Sequence, residues 1–338
     1  MESIIIKSLD LSYLKIPSPV KQNLGKWGLE ISLWENKLYS SEKIDLSQII
    51  FLTTIVIYSG TKIETVYWNS PKGGKEIDCR NLDLLQIMPI ICRNIPWDPM
   101  KKIGFHSLSL ERESLYPLQI FLHNPRTRKR INHNLFPVKY PVFIHTPFTL
   151  NPAKFSDSLF QDILEKEIRI CQRYGYQGIV FHSGKHLNLE DKNQCITNMR
   201  NNIRQVISFC LNINETVPSY FPLLLLETPS GQGTELLHEC SSMIEFYSSF
   251  TEEERKILKI TVDTQHVFAS GYWPMRYLFD FRAHFPQGNG LIHFNDSREA
   301  FGSHIDRHET IGAGLIGYSH LQCVAAFAEI NYIPAVRE

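Results

Sequence analysis

Six ionisable residues, His145, His182, Glu227, Asp263, His293 and Glu338, follow one another at separations of 37, 45, 36, 30 and 45 positions. Each stands at or just inside the end of a short apolar run, as in Val142-Phe-Ile-His145 and Leu223-Leu-Leu-Leu-Glu227. A lone histidine at a strand end is more often a hydrogen-bonded structural residue than a ligand. Six such groups in succession need another explanation, because burying them unpartnered costs several kcal/mol each. Three more residues of ligand type join them. His266 lies one turn beyond Asp263, and Asp306 and His308 are spaced i and i+2, which puts both on one side of an extended segment. The nine comprise five His, two Glu and two Asp. Imidazole and carboxylate without thiolate suit zinc or manganese. Nine ligands exceed the needs of one ion, and with one bridging carboxylate they fit about three.

The interval between successive ligands is one βα unit or slightly more. Strand-like runs occur at Ile103–His106, Leu118–Leu122, Val142–His145 and Gly178–His182, then at Leu223–Glu227, Ile260–Asp263, Leu291–Phe294 and Ile333–Val336. Helical patterns lie between them. Ser156 can cap a helix with Phe160, Ile163, Leu164, Ile168 and Cys171 on one face and Gly175 past its end. A second helix runs from about Asp191, with Ile196, Met199, Ile203, Val206 and Cys210 inward. Eight such repeats predict an α/β fold, a TIM (β/α)8-type barrel, in which all strand ends meet on one face. Glu338 ends the sequence, so the expected barrel lacks the last helix. Residues 1–98 read as a small, mostly β N-terminal module of unknown role. Leu29, Ile31 and Leu33 alternate with polar neighbours, Ile63–Trp68 is rich in β-branched and aromatic residues, and Ile95-Pro-Trp-Asp-Pro99 reads as a linker to a barrel spanning 99–338.

Composition narrows the classes. Apolar residues make up 43% of 338, enough for a sizeable core, and nothing suggests wholesale disorder. The longest apolar stretch, Ile49–Tyr58, is about half of what a membrane span needs. The N-terminus has no basic segment followed by a long apolar run, which argues against secretion. Seven cysteines occur with no C-x-x-C pair, as fits a reducing compartment and an absence of cysteine zinc sites. The expected location is therefore intracellular, cytoplasm or nucleus, with no membrane partner. Formal net charge is zero, which weighs mildly against a nucleic-acid enzyme. Local charge points the other way. Between Lys101 and Leu150 eight basic residues face two acidic ones, a balance of +6, although a solvated surface loop explains that equally well.

Several segments resemble signatures of the endonuclease IV family. They are Phe181-His-Ser-Gly-Lys-His186, Leu226-Glu-Thr-Pro-Ser-Gly-Gln-Gly-Thr234 and Val262-Asp-Thr-Gln-His-Val-Phe-Ala-Ser-Gly-Tyr272, then the block from His293 to His308 and Ile311-Gly-Ala-Gly-Leu-Ile-Gly317. The resemblance covers roughly residues 103–338 and occupies all nine metal positions. It implies a zinc-dependent apurinic/apyrimidinic endonuclease on a xylose-isomerase-like TIM barrel, a DNA repair enzyme of base excision repair. One zinc would be held by His145, His182 and Glu227, and a second by Glu227, Asp263, His293 and Glu338, with Glu227 bridging. A third would be held by His266, Asp306 and His308, manganese being an alternative at one site. Two ions about 3.5–4 Å apart can share a hydroxide aimed at phosphorus. The implied reaction is hydrolysis 5′ to the abasic sugar in double-stranded DNA, leaving a 3′-hydroxyl and a 5′-deoxyribose phosphate. Glu227 is the implied catalytic residue, and a monomer is expected. Arg126, in His123-Asn-Pro-Arg126-Thr-Arg-Lys-Arg130, takes the place of the arginine that the family inserts into DNA. Arg128, Lys129 and Arg130 would contact phosphates. Phe148 stands where the family usually has a tyrosine against the flipped-out nucleotide, with core packing as its plain alternative.

There are departures. The family's Gly-rich turn after the first strand is replaced by Ser-Leu-Ser-Leu-Glu-Arg-Glu-Ser114, so the first helix should be very short or irregular. Thr264 and Gln265 occupy positions where the family often has a Cys. Two other readings compete. Barrel sugar isomerases use a Glu, Asp, His, Glu set that Glu227, Asp263, His293 and Glu338 would satisfy, but have no use for the third site or the Arg126 loop. A non-catalytic DNA-binding relative would have no need of nine intact ligands.

Overall fold

In a parallel barrel every strand is covered by helices outside and side chains inside, so its strands are apolar throughout. The eight apolar runs meet that demand, and all of them form strands. They are β1 (Gly104–Ser107), β2 (Leu118–Phe121), β3 (Val142–His145), β4 (Gly178–His182), β5 (Leu223–Glu227), β6 (Leu258–Asp263), β7 (Asn289–His293) and β8 (Ala335–Arg337). They close into one parallel barrel, with β8 pairing β1. The computed structural model describes residues 99–338, except 111, 115, 156–157, 187–190 and 215–220, together with six strands between residues 8 and 78.

Seven helices are described on the barrel side of the sequence. They are α1 (Ser158–Tyr174), α2 (Lys192–Asn214), α3 (Cys240–Ser248), α4 (Glu252–Ile257), α5 (Thr264–Ala269), α6 (Pro274–His284) and α7 (Tyr318–Ile330). In α1 the expected face is buried, and Gly175 ends the helix at φ +75°, the left-handed conformation of a helix C-terminus. Its expected cap, Ser156, lies outside the described residues. In α2, Met199, Ile203, Val206 and Cys210 are buried as expected, but Cys195 rather than Ile196 is the buried residue of the first turn. A capping box starts α4. The Thr251 side chain accepts from the Glu254 amide, and Glu254 reaches back to the Thr251 amide.

The regular alternation fails at its start. Neither the β1–β2 connection nor the β2–β3 connection contains a helix among the described residues. The first outcome matches the missing Gly-rich turn. The second has a local cause, since Pro125, Pro137 and Pro141 punctuate residues 123–141, and the Asn and basic side chains between them favour turns over helix.

The six earlier strands form an antiparallel sheet. The long pair Thr54–Ser59 and Lys62–Trp68 lies beside Lys75–Asp78 on one side and Ser8–Asp10 on the other, followed by Lys37–Tyr39 and Glu30–Ser32. The expectation of β structure around Ile31 and over Ile63–Trp68 is met, while the linker residues 95–98 lie outside the described residues. The chain divides into two compact units, residues 1–101 with 322–332, and residues 102–321 with 333–338. Among the described residues no helix is long and apolar enough to cross a membrane.

The register of the barrel explains why distant ligands converge. His182 is paired with Glu227, and Asp263 with His293, so these ends lie at one level. Two residues below the ligands, on the same inward face, Phe143, Val180, Leu225, Leu291 and Val336 form a buried cluster. With a side-chain period of two, apolar residues at i−2 make the floor on which ligands at i stand.

Candidate metal centre

Glu227 ends β5 and is 1% exposed. Its Oε2 lies 3.2 Å from His145 Nε2 and 3.3 Å from His182 Nε2. Its Oε1 lies 2.9 Å from His293 Nδ1 and 3.5 Å from His266 Nδ1. Glu338 approaches from β8, with Oε2 3.4 Å from His293 Nδ1 and Oε1 3.9 Å from His145 Nε2. On the other side, Asp306 Oδ1 is 3.5 Å from both His266 Nε2 and His308 Nε2. All nine residues singled out from the sequence are therefore brought to one end of the barrel.

Ligand atoms fall into overlapping groups within 4.8 Å of one another: His145, His182 and Glu227; Glu227, Asp263, His293 and Glu338; and Asp263, His266 and His308, with His145, His293 and Glu338 a fourth that bridges the first two. The first two coincide with two expected sets. The third differs, because Asp263 Oδ2 also reaches to 3.7 Å from His308 Nε2. Asp263 thus lies between the second and third groups, as Glu227 lies between the first and second.

The donor set fits divalent cations on the geometry alone. Four carboxylates and five imidazoles share a mostly buried space, and among the described residues no Lys or Arg pairs with those carboxylates. The buried Nε2 atoms of His182 and His308 have no hydrogen-bond partner among the described residues. Other ring nitrogens are oriented from behind. His145 Nδ1 lies 2.7 Å from its acceptor, the Thr146 carbonyl, and His266 Nδ1 lies 2.8 Å from the Thr228 carbonyl. Donation there leaves both Nε2 lone pairs facing the centre.

Charge is poised in the same sense. Burial would raise the Glu227 carboxyl, but His182, His293 and hydrogen bonds from His145 and His293 hold it well below the usual range. Burial pushes His182 down, leaving a neutral ring able to coordinate. Burial also opposes charge on His293, yet Glu338, Glu227 and Asp263 raise it to about 9. A cation entering this site must displace that proton.

A family model described as "Xylose isomerase-like TIM barrel" matches residues 98–332. The chain belongs to that family. Within it, the endonuclease IV resemblance is borne out by similarity to curated relatives. A "Probable endonuclease 4" of Pediococcus pentosaceus is 27% identical over 58% of this chain and 66% of its own length. A "Probable endonuclease 4" of Trichlorobacter lovleyi is 33% identical over 51% of this chain and 60% of its own length. The chain spans about two thirds or less of these two relatives. The crystal structure of endonuclease IV from Thermus thermophilus shares the fold, with a TM-score of 0.54 at 20% identity over 70% of this chain and 91% of that one.

The connections after β2 and β3 leave the strand ends where barrel active sites lie, and they carry the other expected site residues. Asn124 Oδ1 accepts from the amides of Arg126 and Thr127, and the Arg128 amide donates to the Asn124 carbonyl at 2.9 Å. These bonds fold a tight turn in which Arg128 adopts φ +60°. Arg126, Arg128, Lys129 and Arg130 are all exposed on it. Phe148 is 45% exposed, so packing takes up only part of its ring. Its ring meets those of His145 and His182 edge-on, at centroid distances of 5.5 and 5.3 Å.

Sequence reasoning missed the residues that brace the ligands. Asn295 donates from Nδ2 to Asp263 Oδ2 at 2.7 Å and accepts the Glu338 amide at 3.1 Å. Thr228 Oγ1 accepts the Asp263 amide, while Asp263 Oδ1 accepts from Gln265 and His266 at the start of α5. Gln265 donates to the Ile305 carbonyl at 3.0 Å, fixing the segment that carries Asp306. Asp296 accepts from the amides of Gly312, Gly314 and Ile316, and a Cβ at Gly314 would lie 2.5 Å from its Oδ1. Gly314 serves that close approach, while Gly312 and Gly317 adopt left-handed φ of +85° and +84°. Gln119, on β2, is wholly buried against His293 and Glu338.

Proposed function

We propose that this chain is a zinc-dependent DNA repair endonuclease that cuts the phosphodiester 5′ to an abasic site and acts inside the cell as a monomer. One observation carries the reading. Glu227 presents one oxygen to His145 and His182 and the other to His293, so a single carboxylate serves two ligand groups. In this reading His145, His182 and Glu227 hold one zinc, Glu227, Asp263, His293 and Glu338 a second, and His266, Asp306 and His308 a third. Bound zinc would supply charge neutralisation at the phosphate and an activated water. The protein's own side chains supply the rest. The exposed Arg126 enters the gap left by the missing base. Phe148 offers a half-exposed ring face beside the centre, where an extruded sugar or base can pack. Arg128, Lys129 and Arg130 neutralise backbone phosphates and set the register of the duplex. A sugar isomerase would use the Glu227, Asp263, His293, Glu338 group alone, leaving His266, Asp306 and His308 without a task.

Incision of a duplex with one synthetic abasic site, with and without chelator, tests this function. The expected product is a single nick 5′ to the abasic residue with a 3′-hydroxyl, lost in chelator and recovered with zinc. An intact duplex after incubation with zinc-loaded protein overturns it.

A further inference from the structure

Gln119 sits in β2 with no exposed surface, between two residues that reach the centre from other strands. Its Nε2 lies 2.6 Å from Glu338 Oε1, and its Oε1 lies 2.8 Å from His293 Nε2. The orientation of the amide follows from its partners. Glu338 faces the His293 and His145 rings, at 3.4 and 3.9 Å, as a ligand carboxylate, and a carboxylate only accepts. The amide nitrogen must therefore face Glu338, which leaves the amide oxygen to His293. That oxygen only accepts, so His293 Nε2 carries a proton and donates it. The remaining nitrogen, Nδ1, is the one that lies 2.9 Å from Glu227, 3.4 Å from Glu338 and 3.8 Å from Asp263.

We propose that Gln119 is a positioning residue that fixes which nitrogen of His293 faces the second ligand group and holds the Glu338 carboxylate beside it. This rests on the metal centre proposed above. The other two rings with a described acceptor behind them, His145 and His266, use backbone carbonyls, which no substitution removes. For His293 the same task falls to a side chain, and that side chain also restrains Glu338. Without it, His293 is free to protonate at Nδ1 and turn its lone pair away from the group, and Glu338 loses the amide donor to its Oε1, keeping the Asn295 tie to its backbone and its approaches to His293 and His145.

The test uses the full chain with Gln119→Met, which keeps the shape and removes both hydrogen bonds, and Gln119→Asn, whose shorter amide can serve one partner but not both. Zinc is titrated against a competing chelator, and the rise in melting temperature between chelated and zinc-loaded protein is recorded. For Gln119→Met, one zinc of the set should bind about 10–100-fold more weakly, with the others unchanged. The zinc-dependent rise in melting temperature should shrink, with Gln119→Asn in between. On abasic DNA, kcat should fall while KM stays, since a fully buried residue touches no substrate. Side-chain nitrogen NMR of zinc-loaded wild type should show His293 protonated at Nε2. If a folded variant holds all zinc ions as tightly as wild type, or gains as much stability from zinc, the inference is overturned. A variant equally destabilised with and without zinc reveals a packing role and overturns it too. A wild type that holds zinc yet leaves abasic DNA uncut refutes the proposed function while the zinc comparison still decides on Gln119.

Discussion

The backbone amide of Phe148 donates to the carbonyl of Pro125 at 3.0 Å. Pro125 precedes Arg126, so this bond ties the loop after β3 to the basic turn after β2. Each segment carries a proposed DNA contact of its own, and the bond makes them one rim. The Arg126 side chain is exposed beyond it and can be removed without disturbing the turn, whose bonds come from Asn124.

Arg126→Ala should therefore weaken binding to abasic duplex more than it slows hydrolysis of bound substrate. Neutralising Arg128, Lys129 and Arg130 together should flatten the dependence of binding on salt, by about one unit of log–log slope for each phosphate no longer neutralised. Binding measured between low and moderate salt checks both. An unchanged slope in the triple variant would mean that this turn faces away from DNA.

Phe148 provides a separate check on the same rim. Its ring is held by edge-on contacts with Phe121, His145 and His182. Phe148→Tyr should preserve those contacts and leave cutting near normal. Phe148→Ala should raise KM for abasic duplex by about 10-fold, in keeping with about 1–3 kcal/mol for a base stacked on an aromatic ring. Equal kinetics for the alanine variant would refute a substrate contact.

Glu227 should be the most sensitive single position. Glu227→Gln keeps the volume, but it halves the acceptor capacity and removes a charge that four imidazoles surround. Incision should fall by several orders of magnitude, while affinity for abasic duplex, which depends on the rim, stays within a few-fold. Elemental analysis should find about three zinc ions in wild type and fewer in the variant. Near-normal cutting by Glu227→Gln, or one ion or fewer in active wild type, would sink the assignment.

How much of this is legible in the sequence depends on the kind of atom involved. The strands can be read because parallel barrel strands are buried on both faces, and the ligands because six His, Asp and Glu in succession at the ends of such runs outweigh the structural role that any one of them could have. The bracing atoms carry no such mark. The Thr146 and Thr228 carbonyls belong to the backbone, and any residue supplies them. Gln119 gives one faint signal, an amide within Leu118-Gln-Ile-Phe-Leu122, where a buried strand must give it partners. Nothing local says that those partners lie 174 and 219 residues away. The helix-free connections after β1 and β2 are half legible, since the first lacks its expected glycines while the second stands out only for its charge. The overlap of Asp263 with the third group is hidden, because sequence spacing gives the level of a carboxylate and not which of its oxygens is spare. Here Oδ1 is taken by two amides, while Oδ2 accepts from Asn295 and faces the metal groups.

A last prediction concerns acid stability away from the centre. His320 lies in the first turn of α7, where its Nε2 accepts the Met275 amide at 3.3 Å and its ring packs 4.9 Å from that of Trp273. Burial pushes its pKa down to about 4. In the unfolded chain it returns to about 6.5. Between these values the unfolded state binds the proton that the folded state refuses, so stability is full above about pH 6.5 and falls as pH drops towards 4. Complete loss corresponds to on the order of 3 kcal/mol. Protonation would also abolish the acceptor that the Met275 amide requires. His320→Gln offers an amide oxygen that does not titrate in this range, so its stability should decline less between pH 6.5 and 4. Urea unfolding of both proteins in chelator, across that range, isolates the contribution from acid release of metal. Parallel pH curves for wild type and variant would show that His320 is accessible to protons in the folded chain.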